Sequence, residues 1–146
     1  MKTVQNIEKE ELAIAKSSAF FSVISYNEEE AYFSVKKALE KIFSEISYES
    51  PPMPKWILEN SQKGFVGKNT KILSFKRRIS REELPLVKKK CVKICGKNLQ
   101  KDESLRIIPG YLSAQNVIIA TTTDDFHKVY LFHGVYAEIV YKYQGG

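Results

Sequence analysis

The chain has 146 residues, 43% of them hydrophobic and 12% aromatic, which suffices for one domain to bury a core without a disulfide or metal staple. Its two cysteines suit a reducing compartment better than a secreted disulfide scaffold. No apolar run approaches the ~20 residues of a membrane span, and Met1 to Lys16 lacks the basic and then apolar pattern of a signal peptide, so a cytoplasmic protein with no membrane association is expected. A net charge of +6 and a pI of about 9.2 suit anionic partners such as nucleic acid or phosphates, and equally serve plain solubility.

Residues 1–18 read as a polar, loosely ordered lead-in, and residues 19–146 as a single α+β domain. Ala19 to Tyr26 is aromatic and β-branched and reads as a buried strand. Asn27, with Glu30 three positions on, resembles a capping box for a helix running to about Glu45. Ala31, Val35, Ala38, Leu39, Ile42 and Phe43 form its apolar stripe. Ser47 to Glu49 is extended, and Pro51, Pro52 and Pro54 then interrupt regular structure. Thr70 to Arg77 is strand-like. Ser80 and Glu83 form a capping box for a second helix to about Leu99, with Pro85 placed to kink it and Gly96 as a weak point or early stop. Leu84, Val87, Cys91, Ile94, Cys95 and Leu99 make its core stripe.

Beyond it, Leu105 to Leu112 is extended with a turn expected at Pro109-Gly110. Val117 to Thr123 is β-branched, and Lys128 to Phe132 and Val135 to Tyr143 flank a tight hairpin turn at His133-Gly134. On the last strand Val135, Ala137, Ile139 and Tyr141 are the expected core side, with Tyr136, Glu138, Val140 and Lys142 on the other. Together these elements predict a mixed β-sheet with two main helices packed on one side, in the order β-α-β and then α-β-β-β.

Several segments invite a chemical reading. Gly64 to Thr70 contains a Gly-Lys pair, but its glycines are too close for a phosphate loop and Asn69 stands where the hydroxyl belongs, so it reads as a structural turn. Cys91 and Cys95 lie one helical turn apart on the apolar stripe and read as core residues rather than metal ligands. No metal or cofactor is expected. Lys89, Lys93, Lys97 and Lys101 recur every four residues as one stripe that would track a phosphate backbone; a solvated helix face is the plainer reading. His127 has acid–base potential near neutral pH, with Asp124 and Asp125 before it and Glu138 across the hairpin.

Three segments together resemble an uncharacterised bacterial and archaeal family, catalogued as domain of unknown function 4416. They are Phe20 to Glu49; Leu73-Ser74-Phe75 with Ile79 to Lys88; and Pro109-Gly-Tyr-Leu112 with Ala120-Thr-Thr122, His127 to Leu131 and Gly134-Val-Tyr-Ala-Glu138. The chain departs from the family pattern at Ile108, where an acidic residue is usual, at Lys55 to Leu58, where relatives carry a Thr-Asp-Tyr-Tyr-like stretch, and at Cys91-Val92, which replaces a Thr-Asn pair. Some relatives carry a GTP-binding label. The resemblance brings the third segment forward as the place for a site.

The leading expectation is a non-catalytic binder of an anionic ligand, a nucleotide-like small molecule or RNA. Tyr111, Thr121, Thr122, His127, Lys128, Tyr136 and Glu138 would line its site, and Lys89, Lys93, Lys97 and Lys101 would hold nucleic acid. The alternatives are a small hydrolase or transferase with His127 as general base and Glu138 as its orienter, and an assembly partner of another protein.

Overall fold

A computed structural model of the chain describes residues 10–53 and 67–142. Seven strands form one sheet in the order β2-β3-β1-β4-β5-β7-β6. They are β1 (Ala19–Tyr26), β2 (Ile46–Glu49), β3 (Asn69–Phe75), β4 (Arg106–Leu112), β5 (Asn116–Thr121), β6 (Lys128–Phe132) and β7 (Val135–Lys142), with helices α1 (Glu29–Ile42) and α2 (Leu84–Asn98). The α+β class holds. All six pairings are antiparallel, so the sheet is not mixed; β3 precedes α2 and four strands follow it, one more on each side of α2 than the expected order gave.

Alternation along the strands divides the sheet into two faces. Phe20, Ile24, Tyr26, Leu73, Phe75 and Ile107 point to one face and pack against Tyr32, Val35 and Leu39 of α1 and Val87, Cys91 and Ile94 of α2. Among the described residues the other face carries no helix, yet Val23, Ile108 and Ile119 are buried there, with Phe21, Ile72 and Val140 against them. An apolar cavity of about 410 Å³ opens on it. This second core explains why one expectation on β7 failed. Val135 and Ala137 do pack on the helix side, against Leu84 and Ile118. Ile139 lies beyond the helices' cover and is 57% exposed, while Glu138, on the side expected to be polar, is 2% exposed.

The N-terminus of α1 is not capped by Asn27. The helix starts at Glu29 with no side-chain cap of its own. Instead Asp102, in the turn after α2, accepts hydrogen bonds from the backbone N–H groups of Asn27 (2.6 Å) and Glu28 (2.8 Å). It also accepts from the N–H and hydroxyl of Ser104. Asn27 turns its Oδ1 to the Lys68 N–H. The Ser80–Glu83 capping box is present, but it opens a 3₁₀ turn at Arg81–Glu83 that leads into α2. Pro85 sits in the first turn of α2, where its missing N–H costs nothing, and Gly96 lies inside the helix rather than ending it.

Pro109 and Gly110 are not a turn. Both are buried inside β4, opposite Ser22 and Phe21 of β1. The pairing with β5 begins at Gly110, which leaves Pro109 beside the end of that ladder, where proline is tolerated. Glycine is required next to it because a Cβ would collide with the Ile118 carbonyl oxygen and the Phe21 ring. The β6–β7 turn is as expected: His133 (φ 55°) and Gly134 (φ 78°) both adopt the left-handed region, as a two-residue hairpin demands.

At the β2–β3 edge, Glu49 accepts hydrogen bonds from Tyr32 and Lys36, with Lys71 3.4 Å away. The Lys36 and Tyr32 hydrogen bonds, against the cost of burial, bring its carboxyl down to about 2. In the same contact, burial and then the Glu49 carboxylate push the Tyr32 hydroxyl well above the ordinary tyrosine value.

Two outcomes follow from this packing. Gly110→Ala is expected to cost about 2 kcal/mol through overpacking, read as a lower urea midpoint; an unchanged midpoint would contradict the close approach of β4, β5 and Phe21. Because Glu49 has a folded pKa below its unfolded one, its stabilisation is complete above the ordinary value of 4.5 and is lost as pH falls through about 2. In Glu49→Gln the fall in stability across that acid window should be shallower than in the wild type.

Candidate functional site

The end of the sheet formed by β5, β6 and β7 gathers much of the chain's polar chemistry. Ile119, Glu138 and Lys128 lie opposite one another on adjacent strands, and Thr121, Tyr136 and Tyr130 form the next row. Both rows face away from the helices. The Lys128 side chain is 4% exposed; its Nζ donates to Thr123 Oγ1 at 2.8 Å and lies 3.7 Å from Glu138 Oε1. His127 enters from the loop before β6, with Nε2 3.6 Å from Glu138 Oε1 and Nδ1 3.8 Å from Asp125 Oδ1. Its side chain is 38% exposed, so the cluster has an open side.

Two buried polar atoms in this cluster, Glu138 Oε1 and Thr121 Oγ1, have no hydrogen-bond partner among the described residues. Buried polar atoms are nearly always paired; Ser22, Ser25 and Thr70 on β1 and β3 also carry unpartnered hydroxyls, and Glu138 is the one carboxylate among these residues. Tyr136 and Tyr130 meet edge to face with centroids 5.0 Å apart, and burial followed by the nearby Asp124 raises the Tyr136 hydroxyl above its usual value.

Of the residues expected to line one site, the structure brings Thr121, His127, Lys128, Tyr136 and Glu138 to the same face. Tyr111 does not join them. It stands opposite Ile118 on the helix side of β4, packed with both helix-side clusters and lying under Arg81. Thr122 follows β5 in the exposed loop. The carboxylates of Asp124, Asp125 and Glu138 leave this cluster without excess positive charge.

A second feature lies between the helices. A groove of about 490 Å³ is lined by Ile42 and Phe43 at the end of α1, by Arg77 and Glu83, and by Leu86, Val87, Lys89, Lys90 and Lys93 of α2. The Arg77 guanidinium pairs with Glu83 at 2.6 Å, and that hydrogen bond brings the Glu83 carboxyl below its ordinary range. Lys90 stands over the Phe43 ring. The lysine stripe is thereby divided. Lys89 and Lys93 line the groove, Lys97 is exposed near the end of α2, and Lys101 lies past it, 3.9 Å from Glu30. Lys88, its neighbour in sequence, is buried and donates to the Ile107 carbonyl at 2.9 Å; burial pulls its pKa below the ordinary value. Phe43 and Leu86 were not read as site residues, because their only signal is a three-dimensional one.

Cys91 is fully buried and its thiol is pushed up to about 12 by burial; Cys95 donates to the Leu105 carbonyl. Both belong to the core. Among the described residues no group of three or more His, Cys, Asp or Glu side chains is arranged to hold a metal ion, and no helix is long and apolar enough to cross a membrane. Of the Gly-Lys segment, Asn69 and Thr70 begin β3 and no helix follows Lys68; Gly64 to Val66, like Lys55 to Leu58, lie outside the described residues.

Removing one member of the Lys128–Glu138 pair leaves a buried charge uncompensated. Lys128→Met is expected to lower unfolding stability by about 3 kcal/mol, and adding Glu138→Leu to recover most of that loss. A single variant as stable as the wild type in chemical denaturation would show that the pair contributes nothing.

No curated protein and no solved structure matches the chain. The sequence profile described as "Domain of unknown function (DUF4416)" does match it, over residues 15–146. This covers β1 through β7, both helices and both features above, so the chain belongs to the DUF4416 family.

Proposed function

We propose that the protein is a non-catalytic binder of an anionic, phosphate-bearing small molecule, held in the groove between α1 and α2. One observation carries this reading. Arg77, Lys89, Lys90 and Lys93 surround an apolar floor of Ile42, Phe43, Leu86 and Val87, and among the described residues Glu83 is the one carboxylate in the lining, already paired with Arg77. Cations around an apolar floor suit a ligand with a phosphate at one end and a ring at the other. The ammonium groups supply charge-assisted hydrogen bonds, and Phe43, 6.0 Å from Lys90, offers a surface to a planar ring. A groove of this volume falls within the usual range for a small-molecule site.

With the carboxylates of Asp124, Asp125 and Glu138 around His127 and Lys128, the β5–β7 cluster offers an anion less than the groove does.

The test is titration of a fluorescent nucleoside triphosphate at low salt, with the unphosphorylated nucleoside as control. Saturable binding of the triphosphate is expected. The paired change Lys89→Ala and Lys93→Ala should weaken it about tenfold or more without altering the melting temperature, since both side chains are exposed. Equal binding by the variant would overturn the placement. Binding of RNA alone, falling steeply with salt and sensitive to Lys97→Ala and Lys101→Ala, would move the site from the groove to the full stripe.

A further inference from the structure

We propose a second site, separate from the groove, in which Glu138, Thr121, Lys128 and His127 take the hydroxyl groups of a neutral, polyhydroxylated ligand of the sugar or polyol class. The starting point is the spacing of the polar heads. Glu138 Oε1 is 3.6 Å from His127 Nε2 and 3.7 Å from Lys128 Nζ, too far for direct hydrogen bonds, whose donor–acceptor distance is about 2.7–3.2 Å. An acceptor and two donors thus converge without satisfying one another. Thr121 Oγ1, buried on the same face, also has no partner among the described residues; unlike the unpartnered hydroxyls of Ser22, Ser25 and Thr70 on β1 and β3, it lies on β5, beside the strand that carries Glu138. A hydroxyl both donates and accepts. It is the group that can give its proton to Glu138 while receiving one from Lys128 or His127.

Charge selects the class further. The buried Lys128–Glu138 pair is balanced, so an anion meets Glu138 and a cation meets Lys128. Asp124 and Asp125 at the open side further disfavour an anion. A neutral ligand meets neither penalty. Aromatic surface stands beside the polar heads, as the C–H faces of a sugar ring require. Phe126 is 96% exposed and packs edge-on to His127, and Tyr130, 57% exposed, adjoins Tyr136 in the same row as Thr121. The negative face of an aromatic ring attracts such C–H groups.

The test uses the full chain labelled with nitrogen-15 and titrated with D-glucose, D-ribose and myo-inositol at millimolar concentrations, with inorganic phosphate as the comparison. Saturable shifts at the amides of His127, Lys128, Tyr136 and Glu138 are expected with at least one of the three, and phosphate should leave these amides unmoved. Thr121→Val keeps the side-chain shape and removes an unpartnered buried hydroxyl, so the variant should melt no lower than the wild type yet bind about fivefold more weakly. Glu138→Gln should abolish the shifts. No saturable shift at these residues from any of the three probes would overturn the proposal, as would undiminished binding by both variants. Neither result bears on the groove, whose ligand carries phosphate.

Discussion

The position of the helical layer depends on one carboxylate. Asp102 reaches from the turn between α2 and β4 to the start of α1, where two backbone N–H groups have no partner within the helix. Burial pushes its carboxyl up, but the hydrogen bonds from Ser104, Glu28 and Asn27 outweigh that, and its pKa falls below the ordinary value. The same side chain therefore closes three junctions, from β1 into α1, from α2 out, and into β4. With those ends pinned, α1 and α2 lie antiparallel. The end of α1, Ile42 and Phe43, is then brought beside Leu86, Val87 and Lys90, which makes the basic groove a consequence of a clamp at the opposite end of the helix pair.

Much of this was legible in the sequence wherever the deciding contact was local. β1 runs over the expected residues because its aromatic and β-branched composition has no competing period. The Ser80–Glu83 box and the His133-Gly134 turn each depend on residues a few positions apart, and both stand as read. Misreadings occurred where the deciding partner was distant. Asn27 looks like a cap only until Asp102 supplies the acceptor. Pro109-Gly110 has the composition of a turn, but what selects glycine there is the Ile118 carbonyl on the next strand and the Phe21 ring on the one before. The β7 pattern misled because the sheet buries apolar side chains on both faces while the helices among the described residues cover one.

The candidate sites show the same division. Strand register alone places Glu138, Lys128, Thr121 and Tyr136 on a common face, and a period of two along a hairpin predicts that much. Tyr111 fell outside because its place on β4 points it at the helices, a parity that cannot be set without knowing where Gly110 pairs. For the lysines, spacing identified an exposed stripe. It did not reveal that Lys88 leaves the surface to meet the Ile107 carbonyl, nor that α1 would turn two of the others into one wall of a groove.

Lys128 carries two demands at once. β6 is an edge strand, and its Val129, Tyr130, Leu131 and Phe132 are all exposed, a run that invites pairing with another chain. A charged side chain pointing inward at the start of an edge strand opposes such pairing, because a sliding register would strand the charge. Protection of the edge therefore requires Lys128 to be buried, and burial requires a carboxylate in reach. It does not require that carboxylate to stand 3.7 Å away with an oxygen unpaired, nor a second buried hydroxyl without a partner two residues from Ile119. Lys128 Nζ donates to Thr123 Oγ1 at 2.8 Å, which leaves Glu138 Oε1 facing His127 and Lys128 at 3.6 and 3.7 Å without a hydrogen bond. The wider spacing, beside a half-exposed histidine and an open aromatic surface, is the part of the arrangement that edge protection leaves unexplained and that a ligand hydroxyl would account for.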